Sequence, residues 1–420
     1  MKDFFLKIIY KVLAHKARRV IMHFDPFVVA ITGSVGKTSV KEAVFAVLED
    51  EFGQDVRKNE GNLNAEIGLP LTVLGYKKLP NKFLWPFFLL AVLLRGLPKT
   101  YPKYLVLEMG VEHVGDIKYL CSIARPNVAI ITSVTSAHLV NFSSEEQYQK
   151  EKLSIINEIK AGGKIIVNAD DSKLKKLNDD NIVSVSTTLK EAEYSASDIK
   201  ISLEGTEYRI IKSGYKVSIK TLLLGWQMIY PFLFAFALAD ILELPLIKST
   251  KALEKIKPIP GRMHLIEGKN NTKIIDDTYN ANPSSMKAAL DFLEEVKYEG
   301  KKIAILGNMN ELGKIEKEEH LKIANYAKGK ADFIIFVGKN SEEMFKSYNN
   351  EEKSLAFKKR SELITSIDAI VKGGELVLIK ASQNNNYFEE VVKILMKNPE
   401  KAKDLLVRQG ASWLLKKQER

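Results

Sequence analysis

Short apolar runs alternate with helical patterns along most of this chain. Val28–Ile31, Tyr104–Met109 (YLVLEM), Asn127–Val134 (NVAIITSV) and Lys164–Asn168 (KIIVN) are rich in β-branched residues, and each reads as a buried parallel strand. Residues 173–220 alternate charged and β-branched positions, the period-two pattern of small antiparallel strands. Leu222–Ala239 lacks charge for long enough to mimic a membrane span, but Gly225, Gln227 and Pro231 point to a buried helix entered through a loop. After a break at residues 257–266 (KPIPGRMHLI), Lys273–Asp277, Lys302–Gly307, Asp332–Gly338 and Glu375–Lys380 read as further strands between helices. The pattern predicts an α/β protein: a central domain over residues 23–258 on a mostly parallel sheet, then a C-terminal Rossmann-like α/β domain over 259–420.

Two apolar segments fall outside that alternation. In residues 1–22, Phe4, Phe5, Ile8, Ile9, Val12 and Leu13 recur at helix spacing among Lys2, Lys7, Lys11, Lys16, Arg18 and Arg19. Lys7 and Lys11 break the run that a secretory signal would need, and no small-residue cleavage site follows. The segment therefore predicts a retained basic amphipathic helix, lying either on a membrane surface or on the domain behind it. Residues 81–99 (NKFLWPFFLLAVLLRGLPK) carry an apolar core, Phe83–Leu94, about half the ~20 residues needed to span a bilayer. An interfacial or buried hairpin is expected there, with peripheral membrane contact as its implication.

Composition narrows the classes. A chain of 420 residues with 45% hydrophobic and 27% charged residues suits two or three ordinary globular domains. The single cysteine, Cys121, excludes a disulfide framework and a cysteine-based zinc site, and suits a reducing cytoplasm. The net charge of +11 calls for an anionic partner. No nucleic-acid-binding signature accompanies the lysines, which leaves a nucleotide or other anionic substrate and the inner face of a membrane.

The candidate chemistry begins where the first strand ends. Gly33-Ser34-Val35-Gly36 forms a turn and Lys37-Thr38-Ser39 opens a helix, the strand–turn–helix of a phosphate-binding loop. Backbone N–H groups there can cradle phosphates, Lys37 can reach the β- and γ-phosphates, and the Thr38 hydroxyl can ligate Mg²⁺. The common G-x-x-x-x-G-K-[ST] pattern would place a glycine at Ile31, so the match is to the shorter T-G-x-x-G-K-T. Glu108, at the tip of a strand, stands where a Mg²⁺-linked carboxylate is needed, although a lone glutamate there can equally be a solvated strand end. Asn62, Asn64 and Glu66 form a cluster too polar for a plain core element.

Taken together, ITGSVGKTSVKE (31–42), NLNAEIGLPLT (62–72), LEMGVEHVGDI (107–117), SAHL (136–139), KEKLSII (150–156), NADD (168–171), GRM (261–263), IDDTYNANPSSMKAAL (275–290) and LGNMNELG (306–313) resemble the Mur ligase family. The block IDDTYNANP points to its D-alanyl-D-alanine-adding branch. The resemblance implies an ATP-dependent ligase that activates a carboxylate as an acyl phosphate and joins it to an amine. Its substrates would be an anionic muropeptide and an amine such as D-Ala-D-Ala, in peptidoglycan precursor synthesis.

By the same resemblance Lys37 holds the β/γ-phosphates and Thr38 with Glu108 holds a first Mg²⁺. His138 and a carbamylated Lys152 serve a second Mg²⁺, with Lys150 as the neighbour that a two-residue slip would select instead. Arg262, Asp277, Asn280 and Asn282 reach the nucleotide from the C-terminal domain, while Asn62, Asn64 and Glu66 line the metal and substrate side. The chain departs from the family in four places. Gly225–Pro231 (GWQMIYP) replaces G-x-H-N-x-x-N beside the adenine. Asn308 stands in the usual L-G-D-M, and Ala381-Ser382-Gln383 replaces Gly-Ser-Arg. Only some 27 residues precede the first strand, too few for the family's UDP-sugar-binding domain. The resemblance therefore leaves a lipid-linked or otherwise different acid, or a catalytically weak nucleotide-binding partner, as alternatives.

Overall fold

The computed structural model describes residues 2–61, 63–80, 84–135, 141–177, 179–383 and 386–418. The first body is built on a sheet of nine strands, β1 (Phe27–Thr32), β2 (Val56–Lys58), β3 (Tyr104–Glu108), β4 (Val128–Ile131), β5 (Lys164–Asn168), β6 (Ile182–Ser186), β7 (Tyr194–Ser202), β8 (Gly205–Lys212) and β9 (Tyr215–Thr221). Their order is β2-β3-β1-β4-β5-β6-β7-β8-β9, parallel as far as β7 and antiparallel through β8 and β9. The chain leaves β1 towards β2 and β3 on one side, then returns to β4 on the other. That reversal opens a crevice at the carboxyl ends of β1 and β4, where ligands bind in open α/β sheets.

β1 is apolar at successive positions because both its faces are covered. Val29 and Ile31 pack towards α2 (Lys37–Phe52) and α7 (Ile229–Ile241), while Val28 and Ala30 belong to the core on the opposite face. In α2, Val40, Ala43, Val44, Val47 and Leu48 recur at helix spacing on the buried side. α7 is the expected buried helix, entered through a short turn at Trp226–Met228.

The opposite face is covered by α1 (Lys2–Phe24), α3 (Gly68–Val73) and α5 (Asp116–Ile123). Of the two positions expected for the N-terminal helix, the structure takes the protein: Ile9, Leu13, Ala14, Ala17, Val20 and Ile21 are buried against the body. The apolar segment that follows is a single helix, α4 (Trp85–Leu94), rather than a hairpin. It lies on α1 as an outer layer, with only Leu89 and Val92 buried. Among the described residues no helix is long and apolar enough to cross a membrane.

The second body carries six strands, β10 (His264–Glu267), β11 (Lys273–Asp277), β12 (Lys302–Leu306), β13 (Phe333–Val337), β14 (Ser354–Phe357) and β15 (Leu376–Lys380). They run in the order β10-β11-β15-β12-β13-β14, with β10 the antiparallel edge. β10 and β14 are short and half-exposed, which is why apolar runs alone do not announce them.

Candidate active site

The turn after β1 is held by contacts that tolerate little else. Gly33 has φ +139, and a Cβ there would lie 2.0 Å from Thr132 Oγ1, so glycine lets the chain pass the end of β4. Gly36, at φ +84, precedes α2 and gives it no side-chain cap. The first-turn N–H groups are thus left for an anion, beside the positive end of the helix dipole. Ser34 Oγ donates to Thr135 O at 2.8 Å, Val35 N donates to Ser133 Oγ at 3.2 Å, and Thr132 Oγ1 donates to Val35 O at 2.5 Å. Lys37 Nζ donates to Gly33 O at 2.7 Å. Burial pushes its ammonium below the usual lysine range; Glu108 opposes that shift and Arg262 adds to it.

Glu108, at the end of β3, is the hub of the next layer. Its Oε2 accepts from Thr38 Oγ1 at 3.1 Å and its Oε1 from Asn64 Nδ2 at 3.0 Å, with Lys41 Nζ 3.7 Å away. Asn59, fully buried just beyond β2, fixes the backbone beneath it. Its Oδ1 accepts from Glu108 N at 2.9 Å, and its Nδ2 donates to Glu108 O at 3.1 Å and Leu63 O at 3.0 Å. A hydroxyl and a carboxylate this close form a hard oxygen donor set, which suits Mg²⁺.

Lys152 comes from α6 (Glu145–Leu153) and is only 1% exposed, whereas Lys150 is exposed. Its Nζ lies 4.8 Å from the centre of the Tyr148 ring, and the side chain borders the crevice. Burial, with Lys37 adding, holds its amine well below the usual lysine range. Glu151 beside it turns the other way and accepts from Gly115 N and Ile117 N, both at 2.9 Å.

The second body faces this loop. Arg262 Nη2 donates to Thr38 Oγ1 at 3.3 Å, and its guanidinium stacks 4.3 Å from the Tyr279 ring centre. Asp277, at the end of β11, is ion-paired with buried Lys380. Asn280 Oδ1 accepts from Ser382 Oγ at 2.6 Å. Asn282 caps α9 (Pro283–Glu295), its Oδ1 accepting from Ser285 N at 2.9 Å. Ser34–Ser39, Asn64, Glu108, Lys152, Arg262, Asp277, Asn280 and Asn282 all line one cleft of ≈ 700 Å³.

The family model described as Mur ligase middle domain matches residues 31–239, and that described as Mur ligase, glutamate ligase domain, matches 261–383. UDP-N-acetylmuramoyl-tripeptide–D-alanyl-D-alanine ligase of Bacillus subtilis is 30% identical over 92% of this chain and 79% of its own length. The chain belongs to the Mur ligase family. The Escherichia coli enzyme of the same name is 30% identical over 88% of this chain and 77% of its own. A solved structure described as MurF ligase from Thermotoga maritima in complex with ADP superposes with a TM-score of 0.76 at 27% identity, covering 93% of this chain and 84% of that one. As a Mur ligase, the protein is an ATP-dependent ligase.

The Mur ligase cleft gathers most, though not all, of the residues singled out from the sequence. Gly33 stands just behind the lining and receives Lys37. Glu66 is not among the residues that line the cleft. The chain turns at residues 65–67 into α3, so positions two apart no longer share a side. Asn64 meets Glu108, while Glu66 groups with His113 and Asp116, their ligand atoms within 4.8 Å of one another. Asn62 and His138 lie outside the described residues. The altered Gly225–Pro231 segment still contributes a wall, through Gln227, Met228, Tyr230 and Pro231.

Sequence reasoning missed Asn59, Lys41 and Lys380. Lys41 is buried and donates to Asn59 O at 2.9 Å; Lys380 donates to Asn280 O at 3.2 Å. Position offers a signal for two of them: Lys380 ends the apolar strand β15 and Lys41 sits on the inner side of α2, where a polar residue needs a partner, whereas Asn59 follows the polar strand β2 and carries no such mark.

Proposed function

We propose that this Mur ligase activates the terminal carboxylate of a UDP-muramoyl tripeptide with ATP and joins it to the amine of D-alanyl-D-alanine. The observation that carries this reading is the cleft in which Lys37, Thr38, Glu108 and Lys152 face Arg262, Asp277, Asn280 and Asn282. The choice of substrates is supported by similarity over some nine-tenths of the chain to ligases of that name.

The chemical obstacle is repulsion between a carboxylate and a triphosphate. Lys37 and the uncapped N-terminus of α2 receive the β- and γ-phosphates, and Arg262 meets the same phosphates from the other body. A carboxylate oxygen then bonds to the γ-phosphorus as the bond to the bridging β,γ-oxygen breaks, giving acyl phosphate and ADP. The amine attacks the acyl carbon, the C–O bond to phosphate breaks, and the ammonium proton is lost as the amide forms. Thr38 and Glu108 are the residues that would hold Mg²⁺, which when bound offsets phosphate charge.

Lys152 is read as the carbamylated lysine on its position, buried at the cleft edge beside Lys37. The ammonium first gives up a proton; the neutral amine nitrogen then bonds to the carbon of CO₂ and loses a second proton, so the cation becomes an anion able to serve a second metal. That exchange relieves the like-charge contact with Lys37. Gln383 lines the cleft where the family has arginine, which supports a second reading in which the amine differs from D-Ala-D-Ala.

The test is phosphate release from ATP and Mg²⁺ with acid and amine supplied singly and together, with the product weighed by mass spectrometry. Release that needs both substrates and yields the amide supports ligation, and Lys37→Ala abolishes it. Turnover indifferent to either substrate overturns the proposal. Product with other amines but not with D-Ala-D-Ala selects the second reading.

A further inference from the structure

We propose that the outer face of α4 docks the protein on an anionic lipid surface. All ten residues of α4, WPFFLLAVLL, are apolar, a composition that belongs to a helix buried on every side. Only Leu89 and Val92 are buried, against Ile9, Leu13 and Leu71. Phe87 (74% exposed), Leu90 and Leu94 (78% exposed) form an outward stripe at helix spacing, extended by Leu84 and Leu97. The helix is fixed from beneath: Lys16 Nζ donates to Leu93 O at 2.6 Å, satisfying a carbonyl at its C-terminus. The stripe thus presents apolar side chains without hydrogen-bonding groups, the chemistry that enters the boundary between headgroups and acyl chains.

Charge selects the occupant. Residues 1–24 and 76–99 together hold eleven lysines and arginines against one acidic residue, Asp3, while the whole chain holds 63 against 52. Lys11, Arg19, Lys77, Lys78, Arg95 and Lys99 are exposed on the segments that carry or flank the ridge. A second copy of this surface would set cations against cations, so self-association is opposed. An anionic bilayer satisfies both features at once: the apolar stripe partitions into the interface, and each basic residue near the surface strengthens binding roughly fivefold. The two contributions together give reversible, salt-sensitive peripheral attachment, with no spanning segment needed.

The experiment is flotation of the full chain with vesicles of phosphatidylcholine, alone or mixed with phosphatidylglycerol, at low and high salt. The protein is expected to float with the mixed vesicles at low salt and to be released by high salt or by omission of the anionic lipid. The double variant Phe87→Glu/Leu90→Glu should bind at least about tenfold more weakly. Its thermal midpoint should match the parent's, because both side chains already face solvent. Failure of the parent to float overturns the proposal, as does undiminished flotation of the variant. A parent that sediments as a dimer, ignores vesicles and becomes monomeric in the variant assigns the ridge to a second copy and equally overturns it.

Discussion

Replacing Asn59 by alanine tests whether the Glu108 carboxylate is held by the fold or merely lies near it. Asn59 is fully buried and makes three side-chain hydrogen bonds, to Glu108 N, Glu108 O and Leu63 O. Alanine leaves one donor and two acceptors unpartnered where water must first enter. At about 1–3 kcal/mol for each unsatisfied buried group, less whatever an admitted water recovers, the loss is about 4 kcal/mol. Because Glu108 sits on that same backbone, its proposed role as a Mg²⁺ ligand predicts that kcat falls about 10- to 100-fold, the usual effect of removing a support behind a metal ligand. Urea unfolding reads the first quantity, and phosphate release at saturating ATP reads the second. Asn59→Asp keeps the acceptor for Glu108 N but points an oxygen at two carbonyls, so it should cost at least as much as alanine. A parent-like unfolding midpoint together with unchanged kcat in Asn59→Ala would refute the clamp and the dependence of Glu108 on it.

Gly33→Ala should cost ~3 kcal/mol or more in loop strain and lower ATP turnover at least about 100-fold, since the added Cβ falls 2.0 Å from Thr132 Oγ1. A variant with parent-like kcat/KM for ATP would show that the turn can shift freely. Lys152→Ala should lose activity and regain part of it with formate or acetate, small carboxylates able to stand where the carbamate would be, whereas exposed Lys150→Ala should stay near the parent. Equal inactivity of both variants without rescue would reject that assignment. Burial, aided by the charges of Asp277 and Glu389, pushes Asp276 up to about 7 despite its bonds from Thr278. Between about pH 4 and 7 the native state keeps a proton that the unfolded chain releases, so this group's stabilisation declines as pH rises through that window, by roughly 4 kcal/mol in all. Asp276→Asn should flatten that slope in denaturant titrations across the range, and parallel curves for parent and variant would refute the shift.

The legible parts of this protein are those where local pattern and global placement agree. VVAIT followed by GSVGKT can be read without a fold, because a buried parallel strand, a glycine turn and a helix start each have local causes. Arg262, Asp277, Asn280 and Asn282 are legible only through the family's motif, since nothing in the sequence announces the contact of Arg262 with Thr38, 224 residues away. The short strands β10 and β14 escaped because half-exposed residues carry little apolar signal. Glu66 shows the opposite case: its block has the family's letters, but the turn into α3 groups it with His113 and Asp116, while Asn64 meets Glu108.

Local pattern alone sets the strand–turn–helix around Gly33–Ser39 and the alternation that makes two α/β bodies, because both follow from backbone geometry and the burial of apolar faces. Tertiary structure decided which polar residues act together. Burial separated Lys152 from Lys150, two positions apart on one helix, and joined Asn59 to Glu108 across neighbouring strand ends. It also decided which apolar segment needed a partner: α1 covers its apolar face on the protein, while α4, the more hydrophobic of the two, is left with most of its surface exposed. Exposure and contact are properties of the packed chain, and no local pattern contains them.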